Sequence, residues 1–255
     1  MLEDNLSPAS ITSNLDTRFI GQRVIYHPEL TSTMDVAKQG AEEGTVIVAG
    51  EQTTGRGQIK RTWLSPEGSI ALSIILYPAI IHLPSLIMLA SLAVVHSIEN
   101  VTGLKSQIKW PNDVLINGRK VCGILVESEL RGDRVDYAII GIVINANFRL
   151  SDFPEISATA TSLSDELGKD VSRLDIIRSL LVEIDRLYLT SQAGESVYEE
   201  WRDNLVTLGR RVYVKSGETV YEGMAESAAK DGSLLLRQSD GSLTKIVAGD
   251  VSLRE

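Results

Sequence analysis

The sequence predicts an α+β fold: a mixed, largely antiparallel sheet with helices packed on one face, followed by a small all-β unit. Three observations predict it. Extended apolar segments in the middle of the chain are joined by turns as short as Asn117-Gly118 and Arg131-Gly132-Asp133, which suit hairpins better than crossover helices. Helical spacing recurs before and after those segments. It stops after Asn204, where short strands and turn residues alternate to the end.

In chain order, residues 1–20 read as a short N-terminal extension and residues 21–205 as the main domain. The predicted strands of that domain are residues 23–26, 45–51, 69–77, 114–116, 121–129 and 136–143. One helix is predicted over 32–40, with Ser32 and Thr33 as caps and Gly40 as its stop. A second covers 85–100, where Leu86, Leu89, Ala90 and Ala93 repeat at helical spacing. A third covers 174–190, with Ile177, Leu180, Leu181, Ile184 and Leu187 on one face. Residues 206–255 hold short strands at 211–215, 219–227, 233–238, 243–247 and 251–253, with hairpin turns at Asp231-Gly232 and Asp240-Gly241. Such a run makes a small β-barrel of the SH3-like kind.

Charge narrows the function classes. The 34 Asp plus Glu against 25 Lys plus Arg give a net charge of -9, which argues against a surface built to grip nucleic acid. Cys122 is the single cysteine, so neither an intramolecular disulfide nor a multi-cysteine zinc site is available, and a reducing, cytoplasmic setting is expected. His27, His82 and His96 lack ligand spacing, so no dedicated metal site is expected. Residues 1–10 lack the basic and apolar regions of a secretory signal. Residues 70–95 carry no charge apart from His82, but Pro78 and Pro84 divide them into a strand and a helix, each too short to span a bilayer.

The densest chemical signal is Thr54-Gly55-Arg56-Gly57-Gln58-Ile59-Lys60-Arg61-Thr62-Trp63, directly after an apolar strand. Two glycines let the backbone approach a ligand, while Arg56, Lys60 and Arg61 concentrate positive charge in an acidic chain, so an anion is the natural guest. A solvated basic turn would look the same. The segment is neither a Walker loop nor a dinucleotide fingerprint. A second cluster, Lys109-Trp110-Pro111-Asn112-Asp113, is followed by Lys120-Val121-Cys122-Gly123, placing lysines on both sides of a short hairpin where they can converge on one anionic group. For Asn112 and Asp113 an Asx-turn stands as the alternative. Trp110 reads as core, and Trp63, beside the basic glycine loop, as a cover for a planar base.

Taken in order, these segments resemble the biotin protein ligases, which share a fold with lipoate ligases and have a class II synthetase-like catalytic domain. The resemblance rests on Ser32-Thr33 opening a helix, Gln52, Gly55-Arg56-Gly57 with Arg61 and Trp63, Lys109-Trp110-Pro111-Asn112-Asp113, Lys120 with Gly123-Ile124-Leu125-Val126-Glu127, and Gly141 with Ile144-Asn145. It covers nearly the whole chain from about residue 20, and the C-terminal β unit falls where the family has one. Because so little precedes the pattern, the resemblance is to the monofunctional members without an N-terminal winged helix.

The resemblance implies an ATP-dependent ligase that makes biotinyl-5'-AMP, releases pyrophosphate, and passes biotin to a lysine of a biotin carboxyl carrier protein. It implies Lys120, Arg56 and Lys109 as catalytic residues. Biotin would be held by Ser32, Thr33, Met34, Gln52, Gly55, Arg56, Gly57, Gln58, Lys120 and Gly123. ATP and the adenylate would be held by Arg56, Arg61, Trp63, Asn112, Asp113, Lys120 and Asn145, with Mg2+ carried by the triphosphate. Residues 55–63 are expected to close over the adenylate and keep water out. Arg254 matches a position that faces nucleotide or carrier, or is structural. Family members often pair through sheet edges, and residues 131–140 are the candidate for a homodimer. Expected absences are nucleic acid and membrane partners. A lipoate protein ligase and a non-transferring biotin or adenylate sensor stand as alternatives.

The sequence departs from the family pattern at three positions. Gln58 stands where arginine is usual, which removes a charge expected to retain the adenylate. Met34 replaces a common asparagine, and Val143 replaces a glycine and is expected to narrow the adenine pocket.

Overall fold

A computed structural model describes residues 5–57 and 62–253. In chain order the elements are α1 (Pro8–Thr12), β1 (Val24–Leu30), α2 (Thr33–Ala37), β2 (Val46–Arg56), β3 (Thr62–Ser65), β4 (Ile70–Leu76), α3 (Ser85–Thr102), β5 (Gln107–Lys109), β6 (Asp113–Ile116), β7 (Arg119–Arg131) and β8 (Arg134–Ile144). They continue with α4 (Leu163–Leu167), α5 (Arg173–Gln192), α6 (Tyr198–Asp203), β9 (Arg211–Ser216), β10 (Thr219–Ala228), β11 (Leu234–Arg237), β12 (Leu243–Ile246) and β13 (Asp250–Leu253).

The main sheet has the order β1-β2-β4-β8-β7-β6-β5, with β3 paired to β2. Only β1 and β2 run parallel; the crossover between them carries α2, as a parallel pair requires a long connection. The predicted strand at 23–26 runs on to Leu30 in spite of Pro28, because β1 is the sheet edge and the missing N–H costs no ladder bond there. The predicted strand at 45–51 likewise continues to Arg56, since β3 folds back to pair with its far end. Between β6 and β7 the turn is built by Asn117 and Gly118, both at positive φ (51° and 76°), the hairpin geometry that this dipeptide favours.

Alternation along the strands sorts the side chains into two layers. Val46, Val48, Leu72, Ile74, Ile140, Ile142 and Ile144 face α3 and α5 in the main core. Ile47, Ile75 and Ile139 face the other way and pack with Met34 and Ala37 of the short helix α2. Helix α3 has 18 residues, two more than the sequence pattern predicts, and its mean hydropathy of 1.4 over that length falls in the range of a membrane span. Leu86, Leu89, Leu92 and Ile98 are each fully buried against sheet and α5, and at about 1.5–3 kcal/mol per large apolar side chain this burial accounts for the apolar character. Gly103, at φ 75°, ends the helix by donating its N–H to Glu99 O at 2.8 Å.

Part of the region read as an N-terminal extension is docked on the main core. Leu6, Ile11 and Ile20 are buried, and the Asp185 carboxylate of α5 accepts the backbone N–H groups of Arg18, Phe19 and Ile20 at 2.9, 3.2 and 3.0 Å. The C-terminal strands form a five-stranded antiparallel sheet, order β12-β11-β10-β9-β13. The C-terminal part contacts the main domain through Trp110, whose backbone N–H donates to Thr207 Oγ1 (2.9 Å) and whose indole N–H donates to Gly232 O (2.7 Å). Trp110 is fully buried, in accord with its reading as core.

Candidate active site

The site lies on the face of the main sheet away from α3 and α5. Strand register aligns Lys109 with Asp113, Asp113 with Gly123, Gly123 with Val143, Val143 with Ala71 and Ala71 with Ala49. Directly paired residues share a face, so this row makes a trough with charged groups at one end and a floor of small side chains. The Trp63 indole packs on Ala49, Ala71 and Val143. A Cβ at Gly123 would overlap the same ring, so only glycine allows this seat. Val143, the departure from the glycine pattern, therefore raises the floor beneath Trp63.

Lys120 reaches this face through a β-bulge. Val114 pairs with Cys122 but Leu115 pairs with Lys120, leaving Val121 as the extra residue. Val121 and Cys122 both enter the core as consecutive residues, and the alternation is reset so that Lys120 shares the face of Asp113. Its Nζ lies 2.5 Å from Asp113 Oδ1 and 4.4 Å from the Trp63 ring centroid, a cation held between a carboxylate and an indole face. Lys109 Nζ lies 3.5 Å from Asp113 Oδ2. Burial pushes the Cys122 thiol far above its ordinary value, outweighing the opposing charge of Lys120, so it is no nucleophile at neutral pH.

The next cluster surrounds α2. Gln52 Oε1 accepts from Thr33 N (2.8 Å) and Thr33 Oγ1 (3.2 Å), and Ser73 Oγ donates to Thr33 Oγ1 at 2.7 Å. Ser32 Oγ, Ser65 Oγ and Trp63 Nε1 are buried and have no hydrogen-bond partner among the described residues. Orphaned donors of this kind are costly unless something else satisfies them. Met34 is buried over Gly141, where a Cβ would come 2.6 Å from its sulfur. The thioether therefore fills space against the sheet and offers no polar group at the pocket edge.

Arg56 has its side chain paired with carboxylates. Its backbone is in β2, paired with Thr62, while Gly55 pairs with Trp63 and lies so close that a Cβ would come 2.5 Å from Trp63 O. Its guanidinium is held by Asp35 Oδ1 (3.0 Å) and Glu127 Oε2 (3.5 Å), and Glu127 also binds Lys38 Nζ at 2.6 Å. Gly123 and Glu127 share a face of β7, roughly 13 Å apart at the rise of an extended strand, so Arg56 and Lys120 occupy opposite ends of the trough. Beyond Glu127, the same face has a cavity of about 430 Å³ lined by Lys38, Gly40, Tyr77, Glu129, Asp136 and Tyr137.

The amide nitrogens of Asn112 and Asn145 are held by backbone carbonyls. Asn112 Nδ2 donates to Ile124 O at 2.6 Å, and Asn145 Nδ2 donates to Thr161 O at 2.9 Å. Both brace the loops around Lys120, and Asn145 is 3% exposed. Gln58 and Arg61 lie outside the described residues, as do Arg254 and the centre of the segment expected to close over the adenylate. Gly57 is described, at the end of β2. Asp35, Lys38 and Ser73 were not anticipated as site residues. Glu127 was not assigned a role either, although the alternation of Gly123, Leu125 and Glu127 onto one face is the signal that could have found it. Among the described residues no group of three or more His, Cys, Asp or Glu side chains is placed to hold a metal.

An eight-stranded mixed sheet thus carries a lysine, aspartate and tryptophan cluster over a floor of small residues, an α+β class of protein with a built pocket on one sheet face. The sequence pattern of the Biotin/lipoate A/B protein ligase family matches residues 26–145, and that of the Biotin protein ligase C terminal domain matches residues 207–254. The bifunctional ligase/repressor BirA of Bacillus subtilis is 38% identical over 258 residues, spanning 97% of this chain and 79% of that protein. The biotin--[acetyl-CoA-carboxylase] ligase of Mycobacterium tuberculosis is 30% identical over 227 residues, spanning 84% and 81%. Among solved structures, the biotin protein ligase from Aquifex aeolicus in complex with biotin and ATP superposes with a TM-score of 0.78 at 31% identity, covering 91% of this chain and 99% of that one. The chain belongs to the biotin protein ligase family and is a ligase acting on biotin.

Proposed function

We propose that this enzyme joins biotin to ATP as biotinyl-5'-AMP and then transfers the biotinyl group to a specific lysine of a biotin carboxyl carrier protein. In the first step a carboxylate oxygen of biotin attacks the α-phosphorus of ATP, the bond to the bridging oxygen breaks, and pyrophosphate leaves. In the second, a lysine amine of the carrier attacks the acyl carbon and AMP leaves. The observation that carries the reading is Lys120, set between Asp113 and Trp63 at the head of a trough floored by Gly123. A fixed ammonium there favours the charge that gathers between carboxylate and phosphorus more than it favours the separated reactants.

Ser32 and the Thr33–Gln52–Ser73 cluster supply polar contacts for the ureido ring; the orphaned Ser32 hydroxyl fits that part of biotin. Trp63 lies by the adenine, with Lys109 adding positive potential and Arg56 available to phosphate. Asn112 and Asn145, whose amide nitrogens are held by backbone carbonyls, are the polar residues beside Lys120 assigned to the adenylate. Magnesium enters with the triphosphate. Both Asp113 oxygens are engaged by lysines, so Asp113 is not free to hold the ion on its own. The C-terminal sheet, of the SH3-like kind, positions the carrier, and residues 131–140 are the candidate pairing edge of a homodimer. The net charge of -9 and the buried free thiol suit a cytoplasmic enzyme that does not bind nucleic acid.

The test is ATP-dependent labelling of a biotin carrier domain by the purified protein, with pyrophosphate release followed in parallel. Adenylate without transfer would make the protein a sensor, and preferential transfer of lipoate would make it a lipoate ligase. Gln58→Arg is expected to lower the release of free biotinyl-AMP; equal release by both forms removes the role assigned to that position.

A further inference from the structure

The bulge that turns Lys120 onto the active face leaves its backbone dependent on a segment outside the sheet. Lys120 N donates to Thr159 O at 2.8 Å, and Lys120 O accepts from Thr161 N at 2.9 Å, a single parallel bridge between Lys120 and Ala160. Residues 159–161 belong to no strand, and they need an anchor of their own. That anchor is Glu166, one turn into α4. Its Oε1 accepts from Thr161 Oγ1 at 2.6 Å and from Arg119 NH2 at 2.6 Å, and its Oε2 accepts from Asn117 Nδ2 at 2.7 Å. One carboxylate thus ties the residue before Lys120, the turn that leads into it, and the segment that pairs with it.

The charge on Glu166 is secure. Burial pushes its carboxyl up, but the hydrogen bonds from Thr161 and Asn117 and the charge of Arg119 together outweigh this and hold it below the usual glutamate range. Its side chain is only 6% exposed, against 44% for Arg119, so this carboxylate differs from an ordinary surface pair. Helix α4 is itself fixed: Ser162 Oγ accepts from Asp165 N at 3.1 Å, Leu163 is fully buried, and Leu163 N donates to Asn145 O at 2.9 Å.

We infer that Glu166 is a positioning residue for the ligase reaction: it touches neither substrate nor reacting atoms, and it sets the backbone of Lys120 so that the ammonium meets Asp113 and Trp63. The inference rests on the assignment of Lys120 made above. A backbone displacement of about 1 Å is enough to cost on the order of 100-fold in turnover when the displaced group acts on the transition state.

The experiment is adenylate formation, read as pyrophosphate release, for the full chain carrying Glu166→Ala, Glu166→Gln, Lys120→Ala, and Glu166→Ala combined with Lys120→Ala. Glu166→Ala is expected to lower kcat by at least ~10-fold while the KM values for biotin and ATP move less than ~3-fold. Glu166→Gln, which keeps one acceptor oxygen, should fall between it and the parent. In the Lys120→Ala background the added loss should shrink below ~2-fold, because two changes acting through one group do not add. Thr161→Val, which removes one of the three donors and keeps the charge, supplies the test if Glu166→Ala does not fold, with a smaller drop in kcat expected. Parental turnover in both Glu166→Ala and Thr161→Val, or a Glu166 loss that persists in full without Lys120, overturns the positioning role alone. Parental turnover in Lys120→Ala instead overturns the assignment of Lys120, and the positioning role with it.

Discussion

The two ends of the trough hold their cations in different ways. At the Lys120 end, the ammonium, on a side chain 31% exposed, sits against a carboxylate whose side chain is 12% exposed, over an indole, on a backbone held by Glu166, Asn145 and the β-bulge. At the Arg56 end, the guanidinium is 38% exposed and its Asp35 partner 51%, so it is the partners more than the cations that differ. A pair that exposed is worth about 0–1 kcal/mol, so an arriving phosphate or carboxylate can take Arg56 from Asp35 at little cost. The contrast teaches that one half of the site is built before substrate arrives, whereas the other exchanges partners. A reaction in which a fixed charge stabilises the transition state and a second charge retains the product calls for this division.

The comparison can be broken or sharpened by substitution. The largest effect is expected at Lys120: Lys120→Ala should lower pyrophosphate release by roughly 100- to 1,000-fold, the range for removing one fixed electrostatic partner of a developing charge. Next is Asp113→Asn, which leaves Lys120 and Lys109 without their shared carboxylate; a loss of ~10-fold or more in kcat, with the fold intact by circular dichroism, is expected. Gly123→Ala forces Trp63 off its seat, so weaker nucleotide binding should accompany a shift in tryptophan emission. Unchanged emission would mean that the ring has another resting place. Arg56→Ala should cost less than about 1 kcal/mol in chemical denaturation, yet raise the release of free biotinyl-AMP. If it destabilises the protein as much as Asp113→Asn, the two ends are alike and the contrast fails.

The smallest effect lies outside the trough. Asp231 hydrogen-bonds to Lys245 in the C-terminal sheet, and these contacts hold its carboxyl down to about 2. A depressed carboxyl stabilises the fold above its ordinary value and loses that contribution as pH falls toward about 2. Both side chains are about half exposed, so Asp231→Asn should remove no more than ~1 kcal/mol at neutral pH, with the difference from the parent vanishing in acid.

Much of this molecule was legible from local pattern. Period-two alternation and the Asn117-Gly118 turn gave the central hairpin, and the apolar face of residues 174–190 gave α5. The convergence of Lys109 with Lys120 was legible from their places on both sides of a hairpin, although β6 lies between their strands and its Asp113 is the group they meet on. Short elements escaped: α1, α4 and α6 have five or six residues each, too few for a helical repeat to register. The bulge at Val121 escaped because nothing in Lys120-Val121-Cys122-Gly123 departs from ordinary strand composition. Glu166 escaped for a different reason: its three partners lie far along the chain or in a neighbouring turn, and only the folded backbone gathers them. Asn112 and Asn145 were legible as polar residues near the site, but which way each amide points depended on carbonyls that no local pattern supplies.

Trp110 adjoins Lys109, yet its indole N–H and its backbone N–H both end on residues beyond 206. The small sheet is therefore part of the wall behind Lys109 and Lys120 rather than a detachable handle. A truncation placed before Thr207 would expose a large aromatic face and strip two hydrogen bonds from the strand bearing Lys109. Any shortening of the chain from its C-terminal side should leave that seam whole.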